Sequence, residues 1–482
     1  MNRRGTAWSA GLAVALAVTG AVALPAVPAS AAGTSRAAKP HDDFNGDGYA
    51  DLAVTAPSAS VSGKKGAGYV AVLYGSASGL KTSTKQVFSQ NSAGVPGSAE
   101  AGDRFGSAVA TADLDRDGYA DLIVGAGGED TTAGTDAESV VVLWGGKKGL
   151  AGGASLADGL GEGGHLTVGD VNGDGAADLV TVVSAHDLRV RNGPFTRTGS
   201  AHGTQVVKDD FDSRYLDLTS GDFDGDGITD VAAVANDGDE WDARRVLFWT
   251  GTPAGLTPYK VVRGKEAGSR LEGGEHLAAG DVNRDGRADL VVGRAVEGAD
   301  SDVDTPLAKG GRIAWIPGTA NGPDGTRAVL VNLDTAGVPG TAKRGSGFGS
   351  AVSVADIDGD RYADIAVGTP GVPGGGQVIV LRGTAKGPTG TGAKALGQDT
   401  AGVPGVGEQG DAFGSAVRLV DGNRDGRADL AVGAPGENAG AGSVWVLRGT
   451  ASGVTASGSF TFASGTLGTV AAGGRLGSGF GS

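Results

Sequence analysis

The chain has 482 residues, of which 91 are glycine and none cysteine, with aromatics at only 5% and a formal net charge of −15. So acidic a surface repels the phosphates of nucleic acid and of anionic membranes, and a chain without cysteine draws its rigidity from something other than disulfides. Glycine this frequent, with no sustained helical period, predicts short strands divided by tight turns.

Arg3 and Arg4 precede an apolar run over residues 7–24, and Ala29-Ser30-Ala31 then supplies the small residues of a cleavage site. This reads as a secretory signal peptide over residues 1–31, with a flexible leader over 32–40. The run is rich in Ala and Gly and closed by Pro25 and Pro28, which suits a removable segment better than a membrane anchor. The expectation is an exported protein, extracellular or loosely associated with the cell wall, with no membrane insertion after cleavage.

At Asp43 a nine-residue pattern begins that recurs at Asp113, Asp170, Asp222, Asp281, Asp356 and Asp421. The second copy, Asp113-Leu114-Asp115-Arg116-Asp117-Gly118-Tyr119-Ala120-Asp121, places carboxylates at positions 1, 3, 5 and 9, with glycine at position 6 where a sharp turn needs positive φ. Oxygen donors at that spacing make a cage for a hard cation. An EF-hand loop would close with glutamate at position 12, but Val54, Val124 and Val292 stand there, so the aspartate at position 9 must close the cage as the chain enters a strand. The seven copies hold 24 aspartates, which repel one another unless cations neutralise them. Loss of the N-terminal segment takes the charge to −17, and seven divalent ions would bring it to about −3.

Successive copies start 52 to 75 residues apart, a period that suits four short strands with their turns, one blade of a propeller. Phe-Gly-Ser-Ala-Val, at 105–109, 348–352 and 413–417, lies eight residues before its loop and reads as the strand that feeds it. The loop leads to a second strand (122–126 in the second repeat), a third (139–144), and a fourth after Gly145-Gly146. Third strands are expected at 69–74, 188–190, 246–249, 312–316, 377–381 and 443–447, and fourth strands at 83–88, 259–262, 328–331 and 459–462. Inserted loops between second and third strands are expected at 126–138, 235–245 and 294–311. The first repeat has no feeding strand, and the chain ends in Phe480-Gly481-Ser482, so the C-terminus is expected to complete the first blade. The fold class is therefore all-β, a ring-closed seven-bladed propeller of four-stranded blades over 41–482.

Phe-Gly-Ser-Ala-Val, the Asp-x-Asp/Asn-x-Asp-Gly-x-x-Asp loop and the stretches Val432-Gly433-Ala434-Pro435 and Val367-Gly368-Thr369-Pro370 together resemble the FG-GAP repeat family, typified by the propeller head of integrin alpha subunits. The resemblance implies a seven-bladed propeller with Ca2+ in the loops between first and second strands, opposite the usual ligand face, and a role in binding or adhesion. All seven blades carry the loop here, whereas only some do in integrins. Carried onto this chain, the ligands are the side chains at positions 1, 3, 5 and 9 and the carbonyl of position 7. These are Asp43, Asn45, Asp47, Tyr49 and Asp51 in the first loop, and Asp113, Asp115, Asp117, Tyr119 and Asp121 in the second. The third and fourth give Asp170, Asn172, Asp174, Ala176, Asp178 and Asp222, Asp224, Asp226, Ile228, Asp230. The fifth, sixth and seventh give Asp281, Asn283, Asp285, Arg287, Asp289; Asp356, Asp358, Asp360, Tyr362, Asp364; and Asp421, Asn423, Asp425, Arg427, Asp429. Arg361 stands where glycine belongs, so the sixth site is expected to be the weakest or empty, and Gly422 replaces the apolar residue at position 2 of the seventh.

No catalytic motif stands out. His165 and His276 lie five residues before their loops and read as strand residues, while His41, His186 and His202 share no context. Trp241 sits among acids in an expected loop, Glu297, Asp300, Asp302 and Asp304 crowd another, and Lys64-Lys65 and Lys147-Lys148 read as solvated turns. The expectation is a monomeric calcium-loaded binding module for an extracellular protein or glycan. The competing reading is a secreted carbohydrate-active enzyme, a polysaccharide lyase or a glycosidase, with structural calcium.

Overall fold

Each repeat folds into an antiparallel four-stranded sheet because every strand is short, apolar and bounded by glycine-bearing turns, so sequential neighbours pair. The computed structural model describes residues 41–129, 139–156, 164–183, 187–208, 213–237, 240–265, 271–295 and 309–481. The signal peptide and leader expected over 1–40, together with His186, Glu297, Asp300, Asp302 and Asp304, lie outside these.

Seven sheets result. Blade 2 runs Phe105–Ala112, Asp121–Ala126, Ser139–Trp144 and Ala151–Leu156. Blade 3, the faintest in the sequence, is complete at Leu166–Gly169, Asp178–Val183, Asp187–Asn192 and Gly203–Val207. The first strands touch one another in a closed circuit around the axis, where a cavity of about 1080 Å3 is lined by Ser107, Thr167, Asp217, Ser353 and Arg418 among others. Second strands are the buried ones, from end to end in Leu52–Ala56 and Asp364–Thr369 and in all but the last residue, Val183, of Asp178–Val183. Neighbouring blades cover both their faces, which is why they read as unbroken apolar runs. Seven hydrophobic cores follow, one in each seam between adjacent blades.

The chain closes the ring as expected. Gly479–Phe480 pairs with Leu52–Ala56, with Phe480 opposite Val54. The register differs from the sequence reading, however. Leu476 donates its N–H to Ala441 and bridges Gly442, as Phe413 donates to Gly375 and bridges Gly376. Leu476-Gly477-Ser478-Gly479-Phe480 is thus the counterpart of Phe-Gly-Ser-Ala-Val, and Phe480 takes the valine place. Leu476 fills the seam pocket that phenylalanine fills elsewhere and is fully buried.

Three further expectations are corrected. In blades 6 and 7 Phe-Gly-Ser is a turn ahead of the first strand, which begins at Val352 and Ala416, whereas in blade 2, with the same positive φ at Gly106, Phe105 still pairs with Ala126 across a register shift. The loop expected over 235–245 is mostly a long hairpin, Asp230–Asp237 with Glu240–Trp249, in which Ala235 pairs with Arg245. Trp241 therefore belongs to a strand. Thr455–Ala463 also starts before the expected 459, kept in pairing by a register shift between Val446 and Arg448.

Candidate metal centre

Six of the seven loops join a first to a second strand, where the sequence places them, and the first loop leads into the second strand Leu52–Ala56, whose inner partner comes from the C-terminus. In the second loop, Asp113 accepts from the N–H groups of Asp117 and Gly118 at 3.1 and 2.9 Å, Asp115 accepts from Asp117 at 3.2 Å, and Asp117 accepts from Tyr119 at 3.0 Å. The pattern repeats in the third loop among Asp170, Asn172, Asp174 and Ala176 and in the fifth among Asp281, Asn283, Asp285 and Arg287. Each loop curls around its first aspartate, drawing the side chains of positions 1, 3 and 5 together.

Position 6 is left-handed in every loop, as the glycines predict, and Arg361 holds the same conformation at φ 73° while donating its N–H to Asp356 at 2.8 Å. A second left-handed position was not legible. Position 4 also has positive φ, with glycine in four loops and Arg116, Arg284 and Arg424 in the others, at 57° to 59°. Arginine at three of those places hid the requirement from composition.

Position 9 is more than a candidate ligand. Asp121 accepts from Leu114 at 2.9 Å on one oxygen and from Gly145, just past the third strand, at 2.8 Å on the other. Asp51, Asp178, Asp230, Asp289 and Asp364 make the same pair of bonds. The seven position-9 carboxylates are no more than 2% exposed. Burial, with the repulsion of neighbouring acids added and the two backbone donors opposing, pushes Asp51 up to about 8, Asp121, Asp230 and Asp364 up to about 7, and Asp178, Asp289 and Asp429 up to about 6.

Position 2 supplies the seam. Phe44, Leu114, Val171, Phe223, Val282 and Ile357 are fully buried against the following blade. At Gly422 the missing side chain is replaced from outside, since Leu80 Cγ lies 3.0 Å from where a Cβ would stand. Loops are also tied to each other: the N–H of Ala120, Thr229, Ala288, Ala363 and Ala428 donates to the position-1 carbonyl of the preceding blade's loop.

Among the described residues three acid sets bring carboxylate oxygens within 4.8 Å of one another: Asp113, Asp115 and Asp121; Asp222, Asp224 and Asp230; and Asp356, Asp358 and Asp360. Clustered oxygens without enough cationic partners are the donor set that a hard divalent ion requires. Two arginines missed in the sequence press on these sets. Arg197 pairs with Asp115 at 2.7 Å and with Asp117, lying over Trp144, and Arg382 pairs with Asp358 and, at 3.3 Å, with Asp360. Both sit near the ends of third strands, so only the strand register brings them to the loops.

The histidines lie elsewhere. His276 begins a first strand, His165 adjoins one, and burial lowers both to about 4, with the charges of His276 and Arg214 adding at His165 and that of Arg244 at His276. His41 lines the axial cavity and His202 donates its N–H to Asn192 in a turn. On the far rim Glu275 pairs with Arg244, and Glu272 pairs with Arg294 at 3.0 Å and with Arg312 at 2.5 Å.

A family model of the FG-GAP repeat matches residues 41–73, 105–143, 348–381 and 413–447, and one of an FG-GAP-like repeat matches 222–292. Integrin alpha-IIb of Homo sapiens is 36% identical over 181 residues, 37% of this chain and 16% of that protein. Integrin alpha pat-2 of Caenorhabditis briggsae is 31% identical over 243 residues, 47% of this chain and 18% of the relative. Phosphatidylinositol-glycan-specific phospholipase D of Bos taurus is 36% identical over 144 residues, 29% of this chain and 17% of the enzyme. The matched stretches thus span less than a fifth of these relatives' own length.

Proposed function

The chain is an integrin-alpha-like protein of FG-GAP repeats, and from that premise we propose that it is a calcium-loaded extracellular binding module for a protein or glycan ligand. The observation that carries this reading is one loop geometry repeated seven times, with three sets of carboxylates already converged. The residues fit the ion: positions 1, 3 and 5, with position 9 behind them, would hold Ca2+, which when bound supplies positive charge that the clustered acids lack. The chain's own bonds then do the mechanical work. Position 9 ties each loop to the end of its third strand, and the links between loops pass rigidity from blade to blade.

The loops differ in expected affinity. Loop 4 has four carboxylates and, among the described residues, no arginine on its acid side chains, so it binds most tightly. In loop 6 Arg382 competes for Asp358 and Asp360 and Arg361 strains the turn, so it binds most weakly. Ligand is taken on the opposite rim, where second strands turn into third strands, a rigid frame for binding loops.

The test combines metal counting with a binding screen. Native mass spectrometry in Ca2+ buffer should give several ions per chain, and a protein and glycan array probed with and without chelator should show chelator-sensitive binding without turnover. Zero or one ion per chain sinks the calcium reading. Release of unsaturated uronates from an anionic polysaccharide would turn the proposal towards a lyase.

A further inference from the structure

Lys147 and Lys148, an unremarkable pair in the sequence, meet two other lysines in space. A groove of about 510 Å3 on the metal-loop rim, between blades 1 and 2, is lined by Lys81 and Lys85 from one blade and Lys147 and Lys148 from the next, with Asp47 as its single acid. Lys81, Lys147 and Lys148 are exposed. Among the described residues none of the four pairs with a carboxylate, and Lys85 reaches only the Thr82 carbonyl, at 3.0 Å. In a chain of net charge −15 such a concentration of unpaired cations is a local reversal of sign.

The rest of the seam explains why the charge stays free. In the neighbouring seam Arg197, which like Lys148 comes from the turn after a third strand, is satisfied by Asp115 and Asp117. In the first loop the acid at position 3 is replaced by Asn45. The remaining Asp47 is used within its own loop, accepting from Asn45 Nδ2 at 3.0 Å and from the Tyr49 N–H at 3.0 Å. The turn itself also departs from the others. In blades 1, 4, 5, 6 and 7 it opens with Ser76, Thr252, Thr319, Thr384 or Thr450, whose hydroxyl donates to the glycine carbonyl three residues on at 2.7 to 2.8 Å. Blade 2 has Gly146-Lys147-Lys148-Gly149 and forgoes that bond. Neither the local turn nor an internal ion pair accounts for the lysines.

We propose that this groove binds a short anionic oligosaccharide, its sulfate or uronate groups held by Lys81, Lys85, Lys147 and Lys148. The volume admits one or two sugar rings. Between the lysines the lining offers the hydroxyl groups of Ser76 and Thr84, suited to sugar hydroxyls, and no exposed apolar anchor of the kind a peptide would use. Tyr74 is too buried to serve as a stacking platform for a nucleobase. Screening confines the acidic remainder of the surface to a range of about 8 Å at physiological salt, so a short anion is admitted where a long one is repelled. This site rests on the reading of the chain as a binding module, and it adds to the surface proposed on the opposite rim a second site, on the metal-loop rim, with a stated ligand chemistry.

The test titrates the full chain in Ca2+ buffer with a sulfated dextran oligomer, an oligogalacturonate, a neutral dextran oligomer, an acidic hexapeptide and inorganic sulfate. One or both anionic sugars should bind, more weakly as salt rises, and the two arms separate sulfate from carboxylate recognition. The double variants Lys147→Ala/Lys148→Ala and Lys81→Ala/Lys85→Ala should each weaken that binding about tenfold or more, and Lys64→Ala/Lys65→Ala, an exposed pair outside the groove, by less than about twofold. The proposal is overturned if all three variants lose affinity equally, if the hexapeptide or sulfate binds as well as the sugars, or if no anionic sugar binds below about 1 mM. Array ligands that bind the chain while no anionic sugar does would leave the module standing and sink the groove.

Discussion

Six of the position-9 aspartates accept hydrogen bonds on both oxygens while standing among other acids, so each is at once a staple and part of a charge cluster. As a staple it matters without metal. Asp230→Asn should destabilise even the metal-free chain by about 2–4 kcal/mol, because an amide turns a donor towards one of two buried N–H groups; an unchanged chelator-treated melt would limit Asp230 to metal binding. As a charge it sets a pH dependence. The raised folded-state values of Asp51, about 8, and of Asp121, Asp230 and Asp364, about 7, mean that the metal-free fold holds protons which the unfolded chain, near 3.8, has released. Stability from these groups is therefore present at low pH and lost as pH rises through 7 to 8. His165 and His276, lowered from 6.5 to about 4, add an opposing trend only below 6.5. Melts in chelator should fall in Tm from pH 6.5 to 8, and Ca2+ should remove the slope; a rise over that window contradicts the assignment.

A blade is secured by what its turns and seams demand. The three phenylalanines Phe105, Phe348 and Phe413 are fully buried between blades, and Phe413 meets Trp445 edge-on with centroids 5.4 Å apart. Phe413→Ala should cost about 3–5 kcal/mol in chemical denaturation, the usual loss for an aromatic removed from a packed core. The blade 2 turn offers the opposite test. Gly146 has no positive φ, and a Cβ there would meet nothing closer than the Gly149 carbonyl at 3.9 Å. Gly146→Thr should restore the hydroxyl bond of the other turns and stabilise the chain by about 0.5–1 kcal/mol. A lowered Tm would show that the turn depends on glycine for another reason.

Around the whole ring, the first blade owes its inner strand to residues 479–480, and Leu476 plugs the last seam. Deleting 476–482 should leave the Leu52–Ala56 edge unpaired and open one of seven cores, read as a Tm lower by about 10 °C or more and as concentration-dependent association. An unchanged melt would mean that the ring does not rely on this clasp. Local chemistry alone determined much of this molecule: aspartate spacing sets the loops, glycine sets their sixth position, apolar runs mark the buried strands, and the seven-fold period gives the blades. Each of these signals is confined to a few consecutive residues, where bonding depends on covalent neighbours. Only the tertiary structure decided which residue plugs the closing seam, that Leu80 replaces the side chain Gly422 lacks, that Arg197 and Arg382 reach the acid loops, and that four lysines share one groove. Those contacts join residues dozens to hundreds of positions apart. Strand register and the packing of one blade on the next bring them together, and neither is written in any single repeat.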